Sequence, residues 1–285
     1  MISRAYAKIN LGLLVRDKRP DGYHSIETVF HRIDLCDELV LEPAEEISMV
    51  SDSRDVPSDE ANLCFKAAVL LQQSLGLRAG VRITLRKNIP VGAGLGGGSA
   101  DAAEVLRHLP HLWQCSVSEQ AVQSLALKLG SDVPYFLRRG SAIGRGRGDI
   151  LDYFDLDVPY TILVCNPNIH ISTAWAYQQV RPSSAHPALQ LRDLVVAGMH
   201  DPGRLVSELR NDFEPAVFKA YPEVLRLKEA MVRGGAAFAS LSGSGSSIYG
   251  FFSSPDEARG VSSDCAAKGY RTFFTPPHFR IPDWI

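Results

Sequence analysis

No apolar stretch in this sequence approaches the about 20 consecutive residues that a membrane-spanning helix needs. Excess charge is missing too. The formal net charge is −2, which leaves no electrostatic case for a nucleic-acid partner. Cys36, Cys64, Cys115, Cys165 and Cys265 are scattered, and no C-x-x-C occurs among them. That spacing argues against a zinc site or a disulfide framework and suits a reducing cytoplasm. Arg4 and Lys8 interrupt the start of the chain, so a secretory signal core is not expected there. Internal repeats and low-complexity segments are also lacking. What remains is 285 residues, long enough for two domains with substantial cores.

Glycine is abundant in one place. Pro90 to Ala103 reads PVGAGLGGGSADAA and carries Gly92, Gly94, Gly96, Gly97 and Gly98. Such density inside a strand or helix would carry a large entropic cost. Before it, Val81, Ile83 and Leu85 alternate with Arg82, Thr84 and Arg86, the pattern of a strand. After it, Ala102, Ala103, Leu106 and Leu109 repeat at helical spacing, with Ser99 as the expected N-cap. Strand, glycine loop and helix N-terminus aim bare N–H groups and the positive end of the helix dipole at one anion. A Walker A loop is excluded, because Gly98 stands where that motif needs lysine. Gly92, Gly94 and Gly97 do match G-x-G-x-x-G. The segment that follows reads as two helices, however, and Glu119 falls at a helix start where a dinucleotide site needs an acid at a strand end. A tight packing turn needs only one or two glycines. A nucleoside triphosphate loop of another kind stays open beside these readings.

Elsewhere the pattern is mixed. Ala5, Ala7, Ile9, Leu11 and Leu13 share one face of a strand, and Tyr6, Lys8, Asn10 and Gly12 the other. A half-buried strand with Lys8 in water is expected. Pro20 and Asp21-Gly22 bend the chain and present Tyr23 and His24. A helix is expected after a cap at Ser58 or Asp59, with Leu63, Ala67, Leu70 and Leu71 buried and a stop at Gly76. The helix after the glycine loop is expected to end near Pro110. The next is expected to open on a capping box from Ser116 to Glu119 and to stop at Gly130. Pro134 suits the first position of a short helix, which makes Asp132 or Val133 its cap. Arg145 and Arg147 are expected near the ligand of the glycine loop. Residues 182–202 read as loop, and 202–219 and 222–233 as helices. Ser242 to Ser247 reads as a second Gly/Ser turn, and Ser254 to Glu257 as another capping box. Strands and helices alternate in both halves, an α+β pattern whose composition shifts near Tyr153 to Pro159.

Three separated stretches, AKINLGL, the glycine loop and SLSGSGSSIYGFF, together resemble the GHMP kinases, the family of galactokinase, homoserine kinase, mevalonate kinase and phosphomevalonate kinase. With RPDGYH and LGSDVPYFL added, the chain looks most like the branch that phosphorylates a hydroxyl of a cytidine diphosphate-linked polyol in the non-mevalonate isoprenoid route. A homoserine or mevalonate type of kinase is the alternative. The resemblance implies an α+β, two-domain GHMP kinase fold with the active site in the cleft between domains. It implies an N-terminal ATP-binding domain over 1–153 and a C-terminal substrate-binding domain over 154–285. It also implies a cytoplasmic enzyme using ATP and Mg2+, with small-molecule partners and neither nucleic acid nor membrane.

Residue by residue, Lys8 and Asp132 fall on the family's catalytic lysine and aspartate. Asn62, Lys87, Pro90, Gly92, Gly94, Leu95, Gly96, Gly97, Gly98 and Ser99 fall on its ATP side. Asn10, Tyr23, His24, Thr173 and Tyr177 fall on its substrate side, where Tyr23 and Tyr177 would sandwich cytosine and His24 would read its polar edge. Many relatives carry two serines after the glycines, whereas Ser99 is followed here by Ala100. Ser99 and Asp132 are therefore candidate Mg2+ ligands without a firm metal set.

Overall fold

Period-two alternation near the start builds β1 (Ile2–Lys18), which pairs with the long β2 (His24–Ala44). The structure, a computed structural model, describes residues 1–20, 22–180 and 190–282. Asp21 of the expected bend and residues 182–189 of the expected loop lie outside the described residues. The chain forms two compact units, each discontinuous in sequence. The first holds residues 1–7, 35–91 and 96–139; the second holds the described parts of 8–34, 92–95 and 140–285.

The first unit adds β3 (Ile47–Ser51), α1 (Leu63–Leu75), β4 (Gly80–Arg86), α2 (Gly97–Leu112), α3 (Glu119–Leu129) and α4 (Val133–Phe136). β4 runs antiparallel to β2 from Glu38↔Arg86 to Ala44↔Gly80, and parallel to β3. Its alternation places Val81, Ile83 and Leu85 inside, as the sequence predicts. α1 packs on α2, and the two helices bury Ala67, Ala68, Leu71, Ala102, Ala103 and Leu106. Several local expectations change. The cap of α1 is Asn62, whose side chain accepts from the Cys64 amide, and not Ser58 or Asp59; its buried stripe takes Cys64 and Ala68, while Leu63 and Leu70 are half-buried. Gly76 ends it in the left-handed conformation, as expected. α2 begins after a left-handed Gly96, so Ser99 lies inside its first turn and is not its cap. It continues past Pro110 to Leu112, a place where proline forfeits one hydrogen bond near the end of the ladder. α3 is capped by Ser118, not Ser116, with its hydroxyl accepting from the Ala121 amide.

The second unit continues with β5 (Ser141–Arg145), β6 (Ile150–Phe154), β7 (Thr161–Asn166), α5 (Thr173–Gln179), α6 (Leu191–Gly198), α7 (Pro202–Glu208), α8 (Glu214–Ala220), α9 (Pro222–Arg233), β8 (Phe238–Leu241), β9 (Ile248–Phe252), α10 (Pro255–Ala267) and β10 (Arg271–Thr275). β5 pairs with residues 28–30 of β2 and with β6. A separate antiparallel sheet has the order β10-β7-β9-β8. Its core joins Leu163, Ile248 and Phe252 to Phe213, Leu227, Met231 and Val261 from the helices. Ser254 caps α10 as predicted. Two expectations fail here. α6 occupies part of the segment read as loop, and the helix predicted over 202–219 is broken into α7 and α8. The break is at Asn211, whose amide donates to the carbonyls of Leu241 and Gly243 and whose Oδ1 accepts from the Phe213 amide. Those long-range bonds outweigh a local helix.

Candidate active site

The polar face of β1 is not solvated. Lys8 is 3% exposed and Asn10 2%. Segment 92–95 of the glycine loop covers them, since the Lys8 amide donates to the Leu95 carbonyl. The Lys8 ammonium then donates to Asn10 Oδ1 at 2.6 Å and to the Gly94 carbonyl at 2.9 Å. Ser242 Oγ donates to the same Gly94 oxygen at 2.9 Å. Three stretches far apart in sequence thus meet on one carbonyl: β1, the glycine loop and the turn after β8. Asn10 is fixed further by its amide donating to Thr28 Oγ1, which donates to the Gly12 carbonyl. A buried ammonium is tolerable because each of these acceptors is polar and already oriented.

The glycines of the loop serve different ends. Gly92, Gly94 and Gly96 have φ near +65°, +77° and +72°, a region unfavourable to side chains. A Cβ on Gly94 would also fall 2.0 Å from the Ser242 carbonyl oxygen, so the turn after β8 packs directly on this residue. Gly97 is closed in by Ile89 and Lys87. Gly98 is unlike the others: it is exposed, sits in the first turn of α2, and its Cβ would touch only Leu63, at an ordinary 3.7 Å. The fold does not require glycine there. Open space above a helix N-terminus, with bare amides, is a fitting seat for an anion. Pro90 and Leu95 are buried and offer the site their backbone.

Within the first unit, Lys87 is held between two buried carboxylates. Its ammonium donates to Asp37 and, at 2.8 Å, to Asp101 in the first turn of α2. Asp37 also accepts from the Asn88 and Ile89 amides through Oδ1. Burial pulls the Lys87 pKa down, but Asp101 and Asp37 outweigh it and the net shift is upward. Burial pushes the Asp101 carboxyl well above the usual carboxylate range, with the Asp37 charge adding to it and Lys87 opposing. Asp101 Oδ1 has no hydrogen-bond partner. The charge of Lys87 is thus met inside the protein, and the residue holds the start of α2 to β2. Asn62 is similarly engaged, with its Oδ1 capping α1 and its Nδ2 donating to the Pro57 carbonyl.

Asp132 takes the N-cap position of the short α4, which packs on α2, yet its side chain makes no capping hydrogen bond. Ser99 is half-buried in the first turn of α2. Among the described residues, no three His, Cys, Asp or Glu side chains gather as a metal cage. Mg2+ bound through nucleotide phosphates needs only one or two protein oxygens, so this donor set is compatible with it.

In the second unit His24 and Tyr177 stack, with ring centroids 5.5 Å apart and planes within 6°. Tyr177 meets Phe213 edge-on, while the guanidinium of Arg147 lies 4.1 Å from the Tyr23 ring centroid. His24 is thus one ring stacked on Tyr177, and the Arg147 guanidinium lies over Tyr23. Arg145 pairs with Glu27 at 3.7 Å. Thr173 shares a 3.0 Å hydrogen bond with Ser244, again in the turn after β8. Sequence reasoning noted this turn but gave it no partner, and it missed Asp37, Asp101, Thr28 and Asn211 altogether. Only the spacing of Asp101 from the glycines offered a local signal.

The family model described as GHMP kinases N terminal domain matches residues 62–140, and the GHMP kinases C terminal model matches 190–271. A 4-diphosphocytidyl-2-C-methyl-D-erythritol kinase of Chlorobium limicola is 46% identical over 280 residues, covering 98% of this chain and 97% of that protein. The crystal structure of a 4-(cytidine 5'-diphospho)-2C-methyl-D-erythritol kinase is similar at a TM-score of 0.82 and 35% identity, covering 96% of this chain and 98% of that one. A homoserine kinase from Cytophaga hutchinsonii, at a TM-score of 0.73 and 21% identity over 97% of this chain and 95% of its own, shares the fold. Among the described residues, no helix is long and apolar enough to cross a membrane.

Proposed function

The chain belongs to the GHMP kinases, in the group of the 4-diphosphocytidyl-2-C-methyl-D-erythritol kinases, and from this premise we propose how its residues divide the work. The reaction is transfer of the ATP γ-phosphoryl group to the 2-hydroxyl of 4-diphosphocytidyl-2-C-methyl-D-erythritol, a step of the non-mevalonate isoprenoid route. The convergence of Lys8 and Ser242 on the Gly94 carbonyl carries this reading, because it joins the three family stretches at the glycine loop. Gly94 to Ser99 hold the triphosphate through backbone amides, aided by the dipole of α2. Asp132 accepts the proton of the attacking hydroxyl, and Lys8 steadies the hydroxyl. Asn62 and the backbone near Lys87 and Pro90 face the base of ATP. Asn10, Tyr23, His24, Thr173 and Tyr177 serve the second substrate, with the aromatic group at His24 and Tyr177 suited to stacking on a pyrimidine. Ser99 and Asp132 are the oxygens offered to Mg2+, which when bound neutralises phosphate charge.

We assign ATP binding mainly to residues 1–153 and binding of the second substrate mainly to 154–285, with Asn10, Tyr23 and His24 of the first part also serving the second substrate. Both substrates are charged metabolites, which suits a cytoplasmic enzyme. The test is ADP release measured with the cytidylated erythritol, mevalonate, homoserine and galactose side by side. Turnover confined to the first supports the reading. Turnover with mevalonate or homoserine instead would overturn it.

A further inference from the structure

Cys165 and Cys265 lie 100 residues apart in sequence, yet their sulfurs are 3.2 Å apart, with the Cys165 thiol donating to Cys265. Cys165 belongs to β7, an interior strand of the second sheet, and is fully buried. Cys265 sits near the end of α10 and is 3% exposed. Both belong to one apolar cluster with Leu163, Ile248 and Val261. On its other side, Cys265 lines a groove of about 780 Å3 together with Arg226, Val261, Asp264, Lys268 and Tyr270. The two thiols are not equivalent. The hydrogen bond from Cys165 lowers the pKa of Cys265 against the effect of burial, with Lys268 assisting. The same bond, with burial, raises that of Cys165. A more acidic thiol beside a groove, backed by a second thiol in the core, is the arrangement of an attacking and a resolving cysteine.

We propose that Cys165 and Cys265 are an oxidant-sensitive dithiol, converted by hydrogen peroxide into an intramolecular disulfide between β7 and α10. The Cys265 thiolate attacks one peroxide oxygen, the O–O bond breaks, and with one proton taken up the first water leaves. Cys265 is then a sulfenic acid. The Cys165 sulfur attacks the Cys265 sulfur, the S–O bond breaks, and hydroxide leaves with the Cys165 proton as the second water. The two thiols lose two electrons and two protons in total, and peroxide is reduced to two waters. The reaction reverses with an external dithiol. It does not conflict with the scattered cysteine spacing of the sequence, since the pair forms only in the folded core and rests reduced.

The experiment treats the folded enzyme with hydrogen peroxide, removes the oxidant with catalase, alkylates remaining thiols in denaturant and maps peptides by mass spectrometry. The expected product is a linked pair of peptides bearing Cys165 and Cys265, with the loss of two hydrogens. A melting temperature about 4 °C or more above that of the re-reduced sample should accompany it. Cys265→Ser should abolish both changes. Cys165→Ala should stop the reaction at the sulfenic acid, so dimedone labels Cys265. Oxidation confined to Cys36 or Cys115, or a link that forms only after prior denaturation, would overturn the proposal. If a variant fails to fold, the wild-type peptide map alone decides.

Discussion

The Lys8 ammonium donates to the carbonyl oxygen of Gly94, 86 residues further along the chain, and so ties β1 to the phosphate loop from within. Lys8→Met should test whether that tie is structural or chemical. Gly94 keeps its bond from Ser242, while Asn10 Oδ1 loses a donor. A stability loss of about 1–3 kcal/mol is expected. Turnover should fall by roughly 10² or more if the ammonium stabilises charge in phosphoryl transfer. Melting and steady-state kinetics on one preparation separate the two; a destabilised variant with near-normal turnover would leave Lys8 as a strut.

Asp132→Asn separates capping from proton transfer more sharply. Asparagine matches the Asp132 side chain in size and is an equally good residue at an N-cap position, so the melting temperature should hardly move. Asn cannot take the hydroxyl proton, so turnover should drop by roughly 10²–10⁴. ATP affinity should stay close to wild type. Turnover within threefold of wild type would remove Asp132 as the base.

Gly98→Ala should stabilise the protein and harm the enzyme. Alanine in a helix is favoured over glycine by about 1 kcal/mol, and the added Cβ meets only Leu63. If phosphate seats on the first turn of α2, the methyl intrudes on it, and the KM for ATP should rise by about tenfold or more. Calorimetric titration with a non-hydrolysable ATP analogue checks this. Unchanged affinity would move the triphosphate elsewhere.

Lys87→Met removes the cation between two buried carboxyls. Leaving Asp37 and Asp101 uncompensated should cost about 3–5 kcal/mol. Asp101 already holds its proton more tightly than usual, so Asp101→Asn alone should be mild and should restore part of the loss when added to Lys87→Met. The pH sign follows from the same upward shift. The contribution of Asp101 is complete below its unfolded pKa of about 3.9 and fades as pH rises, so acid should partly rescue the Lys87→Met variant. Denaturant unfolding at several pH values provides the measurement.

His31 supplies an opposite pH dependence. Burial, with the Arg280 charge assisting, lowers its pKa to about 4, and its Nδ1 shares a 2.8 Å hydrogen bond with Ser141. Its stabilising contribution is present in full above an unfolded pKa of about 6.5 and is lost as pH falls through the folded value, a change of about 3 kcal/mol. His31→Gln should flatten the stability profile between those values. An unchanged acid limb would assign it to carboxylates.

The sequence by itself determined the glycine loop between strand and helix, the alternation of β4, the stop at Gly76, and the three stretches that mark the kinase family. These are local patterns of backbone freedom and hydrophobic period, and a few neighbouring residues suffice to write them. Capping was legible only to within a few residues, since Ser116 and Ser118, or Ser58 and Asn62, offer equal chemistry and packing chooses between them. Tertiary structure alone decided that Lys8 is buried, that Asn211 breaks a helix, that Lys87 is held by Asp37 and Asp101, and that His24 stacks on Tyr177. Each of these depends on a partner from a distant part of the chain. A lysine on a strand face reads as solvated until a loop from 86 residues away supplies its acceptor, because the free energy of a buried charge is set by what surrounds it and not by its sequence neighbours.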